Sequence, residues 1–156
     1  GRPRVLYSAR ADSPRAGRRS YRLLAEILTS YLAGRTKQPG HAALQAGEAW
    51  GRFLTERPAP IRRVDAAAAT QQLVDVLDEI GFAPEAVTNR RERQILLHHC
   101  PFREIAVEEH GTVVCAVHLG LMRGLLAELD APIEAARLDP FVEPGLCITR
   151  LTGASS

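Results

Sequence analysis

This sequence lacks most of the motifs by which an enzyme can be recognised. It contains no glycine-rich phosphate loop, no Gly-x-Ser-x-Gly nucleophile elbow and no His-Glu-x-x-His pair. The common nucleotide-binding, serine-hydrolase and zinc-protease motifs are therefore excluded. Its acidic residues fall on charged helix faces rather than in acid–base pairs. We expect no catalytic residues and predict that the protein is not an enzyme.

Long hydrophobic runs and a signal-peptide pattern are also missing. No apolar run approaches the roughly 18–20 residues that a helix needs to cross a bilayer, so we expect no membrane contact. The chain begins Gly1-Arg2-Pro3-Arg4, without an initiator methionine. We interpret it as a fragment or a processed product, with something missing upstream.

Positive charge is concentrated at the N-terminus. Residues 1–22 hold seven arginines and one acid, a net charge of +6, whereas the whole chain of 156 residues carries only +2. Basic arms contact phosphates in many DNA-binding proteins, and we single out Arg2 and Arg4 for nucleic-acid contact. The alternative is a solvated leader in a protein that uses arginine in place of lysine, since Lys37 is its only lysine.

Hydrophobic periodicity predicts three helices followed by a mixed half. A loop over 12–19 precedes an amphipathic helix that begins at Ser20, and two further helices end near residues 57 and 81. The remaining elements are predicted in the order β-β-α-α-β-β, with strands near 85–88, 93–98, 135–138 and 146–151 and helices near 101–109 and 113–129.

We therefore predict an α+β fold, with an N-terminal helical dimerisation segment followed by a small β-β-α-α-β-β domain that contains an antiparallel sheet. The predicted divisions are a basic arm over 1–19, a helical dimerisation region over 20–81, a cysteine-containing sensor domain over 82–152 and a tail over 153–156. The first helix is equally compatible with packing on its own domain alone.

Three cysteines lie far apart in the sequence, each in a different predicted element. Cys100 is at a strand-to-helix junction, Cys115 is in a long apolar helix and Cys147 begins the last strand. His118 is three residues after Cys115 and so shares its helix face. A chain without signs of export has little use for disulfides, so the three thiols are better interpreted as ligands, with His118 as a fourth. Such a set suits either a zinc ion or an iron–sulfur cluster.

Two alternatives remain open from the residues alone. Free cysteines are among the most buried residue types, so all three can be core residues of a small-molecule effector-binding domain without a metal. A thiol enzyme is the third option, but the apolar setting of Cys115 should raise its pKa and reduce its reactivity.

Five short stretches carry a resemblance to a known family. They are Gly1-Arg2-Pro3-Arg4-Val5-Leu6-Tyr7, His99-Cys100-Pro101-Phe102-Arg103-Glu104-Ile105-Ala106, Val113-Val114-Cys115, Arg137-Leu138-Asp139-Pro140 and Cys147-Ile148. The last four resemble the C-terminal domain of bacterial ArsR/DeoR-like winged-helix transcriptional regulators, which include the SufR-type iron–sulfur repressors. The first is similar to the end of the DNA-binding wing of these regulators.

The resemblance implies a homodimeric cytoplasmic regulator in which Cys100, Cys115 and Cys147 hold an iron–sulfur cluster of the 4Fe-4S type. His118 is our candidate for the fourth ligand. Loss or oxidation of the cluster would alter DNA binding by an N-terminal winged helix. That helix-turn-helix is absent from this sequence, so the chain alone should bind DNA weakly or not at all. Because relatives vary in their cysteines, zinc or no metal is the alternative.

Overall fold

The chain folds around a four-stranded antiparallel sheet, as a computed structural model shows for residues 13–56, 64–89, 92–108 and 110–154. The α+β class and the antiparallel sheet are thereby confirmed. The elements in chain order are α1 (Ser13–Arg35), α2 (Pro39–Phe53), α3 (Ala66–Ile80), β1 (Pro84–Asn89), β2 (Glu92–Leu97), α4 (Arg103–Glu108), α5 (Gly111–Glu128), β3 (Ile133–Glu143) and β4 (Leu146–Gly153). Arg2 and Arg4 lie outside the described residues.

Two predicted boundaries are wrong. Residues 13–19, which we expected to form a loop, belong to α1, whose first residue is Ser13. Proline is tolerated in the first turn of a helix, so Pro14 does not interrupt it. Asp139 and Pro140, expected to end a short strand, lie inside β3. The strand passes them through an irregularity at which Phe141 takes a positive φ of 50°.

Helix α3 begins and ends as its sequence predicts. The Asp65 side chain accepts a hydrogen bond of 2.8 Å from the backbone N–H of Ala68, which satisfies one of the amide groups left unpaired at a helix start. At the other end Gly81 adopts the left-handed conformation, with φ of 99°, and closes the helix.

The sheet has the strand order β1-β2-β4-β3, so β4 is a central strand paired antiparallel with β2 and β3. Leu97 at the end of β2 lies opposite Cys147 near the start of β4. Helices α3 and α5 cover the sheet through a shared core whose fully buried side chains include Leu73, Leu77, Ile95, Met122 and Leu125.

Helices α2 and α5 pack against each other backbone to backbone. Gly47 and Gly51 on α2 face α5, and Gly120 and Gly124 on α5 face α2. A Cβ atom added at any of the four would lie 2.0–2.2 Å from a carbonyl oxygen of the facing helix. The four-residue spacing places each pair on one face, so both helices present a small-residue seam.

Helix α5 is apolar on almost every side and occupies the interior, between α2 and the sheet. Contrary to the expectation that no apolar run approaches the length of a membrane span, it is, among the residues that the structure describes, the one helix long and apolar enough to cross a membrane by length and composition. Its packing explains that composition, because a helix with protein on both sides needs no polar face.

Candidate functional site

The sheet and α5 bring the three cysteines to one end of the domain. Cys100 lies in the turn between β2 and α4, three residues beyond the Leu97–Cys147 pair, and Cys115 lies in α5. Cys100 and Cys147 are buried, Cys115 is half-buried, and all three are free thiols. Three elements that are distant in sequence therefore contribute one sulfur each.

The thiols lie close enough to influence one another electrostatically. Burial, with a further contribution from Cys147 and then Cys100, raises the pKa of Cys115 to about 11. Burial also raises the pKa of Cys100; Cys147 adds to this effect, and the N–H of Phe102 and the charge of Arg103 oppose it. The predicted rise in the pKa of Cys115 is confirmed. Each of the three thiols therefore interacts with the other two.

Backbone N–H groups donate to two of the sulfurs. The N–H of Phe102 donates to Cys100 Sγ, and the N–H of Phe141 donates to Cys147 Sγ at 3.4 Å. Such donors stabilise negative charge on sulfur, and hydrogen bonds of this kind tune the sulfurs of iron–sulfur centres. Burial favours the neutral thiol of Cys100, whereas the contact with Phe102 favours its thiolate.

His118 is the one buried side chain among the described residues whose polar atom has no hydrogen-bond partner. Its ring is 8% exposed and packs against the rings of Phe82, at 4.8 Å between centroids, and Phe102, at 5.2 Å. Its Nε2 atom has no partner, and burial lowers its pKa to about 4. The imidazole is therefore neutral near pH 7, which is the form that binds metals.

The donor set suits a soft metal, but the sulfurs are not drawn together. Nowhere in residues 13–56, 64–89, 92–108 and 110–154 do three His, Cys, Asp or Glu side chains stand in metal-holding geometry. Thiolates around one metal ion at about 2.3 Å must approach each other to about 4 Å, whereas a mutual pKa effect acts over a longer distance. The thiols would therefore have to move closer to share a single metal ion, whereas a 4Fe-4S cluster binds each sulfur to a different iron and holds the sulfurs farther apart.

The other histidines have different partners or lie at the surface. His98 Nε2 is 2.9 Å from Glu85 Oε2, and His99 Nδ1 is 2.7 Å from the carbonyl oxygen of Gly81. Each of these two rings therefore already has a polar partner away from the thiols. His41 is exposed.

A polar cleft of about 530 Å³ lies between α2, α5 and the start of β3. Its lining includes Glu48, Arg52, Asp130 and Glu134, so both signs of charge face it. The guanidinium of Arg123, also in its wall, donates to the carbonyl oxygens of residues 135 and 136 at 2.8 Å. This is not the mostly apolar pocket that the effector-binding alternative requires.

The sequence matches no protein-family model, and no curated protein is significantly similar to it.

Proposed function

We propose that this chain is the sensor and dimerisation region of a transcriptional regulator. In this proposal Cys100, Cys115 and Cys147 hold an iron–sulfur cluster of the 4Fe-4S type, with His118 as the fourth ligand. The state of the cluster controls DNA binding by a winged helix N-terminal to these residues, in the cytoplasm. Zinc at the same ligands is the alternative.

One observation carries the proposal: three free thiols from three separate elements lie within electrostatic reach of one another. A core that merely tolerated cysteines would have no reason to group them. The unpartnered Nε2 of His118, on the helix that carries Cys115, adds a neutral nitrogen donor.

The protein's own groups define what such a centre would require. Binding of a metal or cluster removes protons from Cys100 and Cys115. Their raised pKa values keep the thiols neutral in the metal-free protein, and neutral thiols are oxidised more slowly than thiolates. The N–H groups of Phe102 and Phe141 then stabilise sulfur charge. A bound cluster would supply a one-electron redox couple that is sensitive to oxygen.

Anaerobic reconstitution with iron and sulfide tests the proposal. We expect a brown protein with broad visible absorbance and about four iron and four sulfide per protomer, as a 4Fe-4S centre requires. Replacing any one of Cys100, Cys115 or Cys147 with serine should lower the iron content at least tenfold, and His118→Ala should shift the spectrum or lower cluster stability.

The control must separate ligand loss from unfolding. Thr149→Ser alters a buried hydroxyl residue of β4, 0% exposed, close to Cys147 in sequence but without a thiol. It should retain full iron. Wild-type protein with neither visible absorbance, iron nor zinc would contradict the metal-centre proposal, and zinc without iron would favour the alternative metal.

The dimer proposal rests on the apolar face of α1. Its large side chains are 50–76% exposed, namely Tyr21, Leu23, Leu24, Ile27, Leu28 and Tyr31. Six such side chains offer on the order of 700 Å² per protomer, close to the roughly 800 Å² per partner of a standard interface. A second copy related by a two-fold axis would cover this face.

Sedimentation equilibrium tests the dimer. We expect a dimer for the wild type and a monomer for the double variant Leu24→Glu/Ile27→Glu, because four carboxylates would be buried without partners at a two-fold interface. The matched control is Lys37→Glu, which makes the same change of charge just beyond α1. A monomeric wild type, or a double variant that remains dimeric, would contradict this interface.

DNA contact by Arg2 and Arg4 is proposed from sequence charge alone. We expect weak, salt-sensitive binding of this chain to duplex DNA, and a smaller salt dependence for Arg2→Gln/Arg4→Gln, since each lost phosphate contact reduces counterion release. Fluorescence anisotropy across a salt series measures the slope. An unchanged slope would remove these residues from the interface.

A further inference from the structure

The three cysteines differ in how firmly the fold holds them. Cys115 is in α5, whose backbone touches α2 directly, and Cys147 is in β4, between two paired strands. Cys100 lies in the short turn between β2 and the six-residue helix α4. Cys100 is buried in the main core, but the helix that follows it is short, so a ligand that draws Cys100 toward the other sulfurs would act directly on α4.

Helix α4 and the start of α5 are each joined to α1 by a polar contact. Arg22 Nη1 donates to Glu104 Oε2 on α4 at 2.8 Å, and Ser30 Oγ lies 3.0 Å from His110 Nε2, just ahead of α5. The two contacts are about two turns apart on α1. A displacement of α4 relative to α5 must therefore stretch one of them or tilt α1.

An apolar contact joins the same three helices. Ile105 and Ala106 of α4 and Val114 of α5 form a small buried cluster, and Ala25 of α1 packs against it. Phe141, whose N–H donates to Cys147 Sγ, packs against the same cluster. This cluster is distinct from the main core, and Phe141 of β3 packs against both.

Helix α4 ends in close contact with the first residue of α5. A Cβ atom added to Gly111 would lie 2.7 Å from the carbonyl oxygen of Ala106. The position of α4 is thus set by two neighbours, the Cys100 turn at one end and Gly111 at the other. A side chain at residue 111 would displace α4 without altering a cysteine or α1.

We infer that Cys100 and α4 form a link that transmits the state of the thiols to α1. Drawing Cys100 toward the other two sulfurs moves α4, and α4 alters the packing of α1 through Glu104 and Ala106. The inference rests on the proposed function for its natural ligand. Its physical content, coupling between the thiol site and α1, can be measured with any reagent that binds the thiols.

Hydrogen–deuterium exchange of the whole chain, read by mass spectrometry, tests the link. Two probes are used: Cd²⁺, which prefers thiolates, and methyl methanethiosulfonate, which transfers a methylthio group to a thiolate sulfur and releases methanesulfinate. With either probe we expect the amides of residues 21–30 to change their exchange rate at least about fivefold, the lower end of allosteric couplings. The amides of α3 should stay unchanged.

Three variants test whether the change in α1 exchange depends on the contacts between α1 and α4. Arg22→Gln/Ser30→Ala removes both polar contacts and should reduce the response in α1 by more than half. Arg35→Gln, a control on the same helix whose native guanidinium lies 5.5 Å from the Tyr31 ring, should leave it intact. Gly111→Ala should change exchange in α1 even without a probe, because it displaces α4.

The outcomes separate this inference from the metal proposal. Bound Cd²⁺ with unchanged exchange in α1 would overturn the link and leave the metal site standing. An equal response in wild type and in Arg22→Gln/Ser30→Ala would also overturn it. Failure to bind Cd²⁺ would count against the metal site, and the methylthiolated protein would then decide the link by the same comparison.

Discussion

Helices α1 and α5 both carry large apolar side chains, but these side chains are exposed on α1 and enclosed on α5. Helix α5 is enclosed, with α2 on one side and the sheet on the other. Helix α1 leaves six large apolar side chains half exposed or more and meets the rest of the chain at a few points. The presence of large apolar side chains alone therefore does not tell which helix forms the core and which leaves them at the surface.

The difference lies in the small residues. Helix α5 carries Gly120 and Gly124 on one face, which lets the backbone of α2 approach to contact distance. Helix α1 has no such pair in its described side chains, and its bulky face cannot approach a neighbour in this way. A close helix pair needs glycine at the crossing, whereas a surface helix can bury bulky side chains against a second copy.

The largest expected effect comes from filling the glycine seam. Gly51→Ala or Gly124→Ala would place a methyl group 2.0–2.1 Å from a carbonyl oxygen of the facing helix. Because both atoms belong to helix backbones, the helices must separate, and we expect a loss of about 3 kcal/mol or more in the free energy of unfolding. Urea unfolding followed by circular dichroism measures it, and a loss below about 1 kcal/mol would contradict the backbone contact.

A second, slightly smaller effect should come from the buried imidazole of α5. Burial lowers the pKa of His118 to about 4, while the unfolded chain takes up this proton near pH 6.5. Stability is therefore full above about pH 6.5 and is lost as the pH falls toward about 4. For metal-free protein we expect His118 to account for a loss of about 2–3 kcal/mol between about pH 7.5 and about pH 4.5.

Replacing the residue isolates this contribution. His118→Leu should flatten the acid limb of the stability curve by that amount, whereas His41→Gln, at an exposed position, should not. Urea unfolding at a series of pH values measures both. An acid limb that is equally steep in wild type and His118→Leu would show that the imidazole is not the group responsible.

The parts of the fold that follow from local chemistry were predictable. The N-cap at Asp65, the end of α3 at Gly81 and strand β2, which contains residue 95, each depend on residues that are neighbours in the sequence. The close packing of α2 against α5 was not predicted from the sequence. Glycines inside a helix weaken the local sequence pattern that predicts the helix, and only the four-residue spacing of the glycines on both helices indicates that the two helices cross there. The start of α1 was misplaced for a related reason, since Pro14 and Gly17 suggest a loop.

The candidate site also has features that follow from the sequence and features that do not. The elements that carry Cys100, Cys115 and Cys147 follow from periodicity, and the i, i+3 relation of Cys115 and His118 follows from helix geometry. The aromatic packing of His118 between Phe82 and Phe102 was not predictable, because those rings come from distant elements. Whether the four residues share a metal stays a prediction.

A smaller effect of opposite sign is expected on the exposed helix. Gly34 of α1 has no atom within 4 Å of the position that a Cβ would take. Alanine loses less backbone entropy than glycine on folding and meets no neighbour there, so Gly34→Ala should stabilise α1 by roughly 0.5–1 kcal/mol. Hydrogen exchange of α1 amides measures the gain. A glycine-to-alanine substitution should thus stabilise α1 and disrupt the packing of α5. Destabilisation by Gly34→Ala would contradict this difference between the two helices.

The smallest effect is expected on the apolar face of α1 itself. Ile27 is 56% exposed, so Ile27→Glu removes little contact within the protomer. Its effect on the unfolding of a dissociated protomer should stay within about 0.5 kcal/mol, as for other surface substitutions. Urea titrations over a dilution series measure this: wild type and variant should converge at the lowest protein concentration and diverge as the wild type associates. A large difference that persists on dilution would mean that the face packs within its own protomer, and the contrast between α1 and α5 would then disappear.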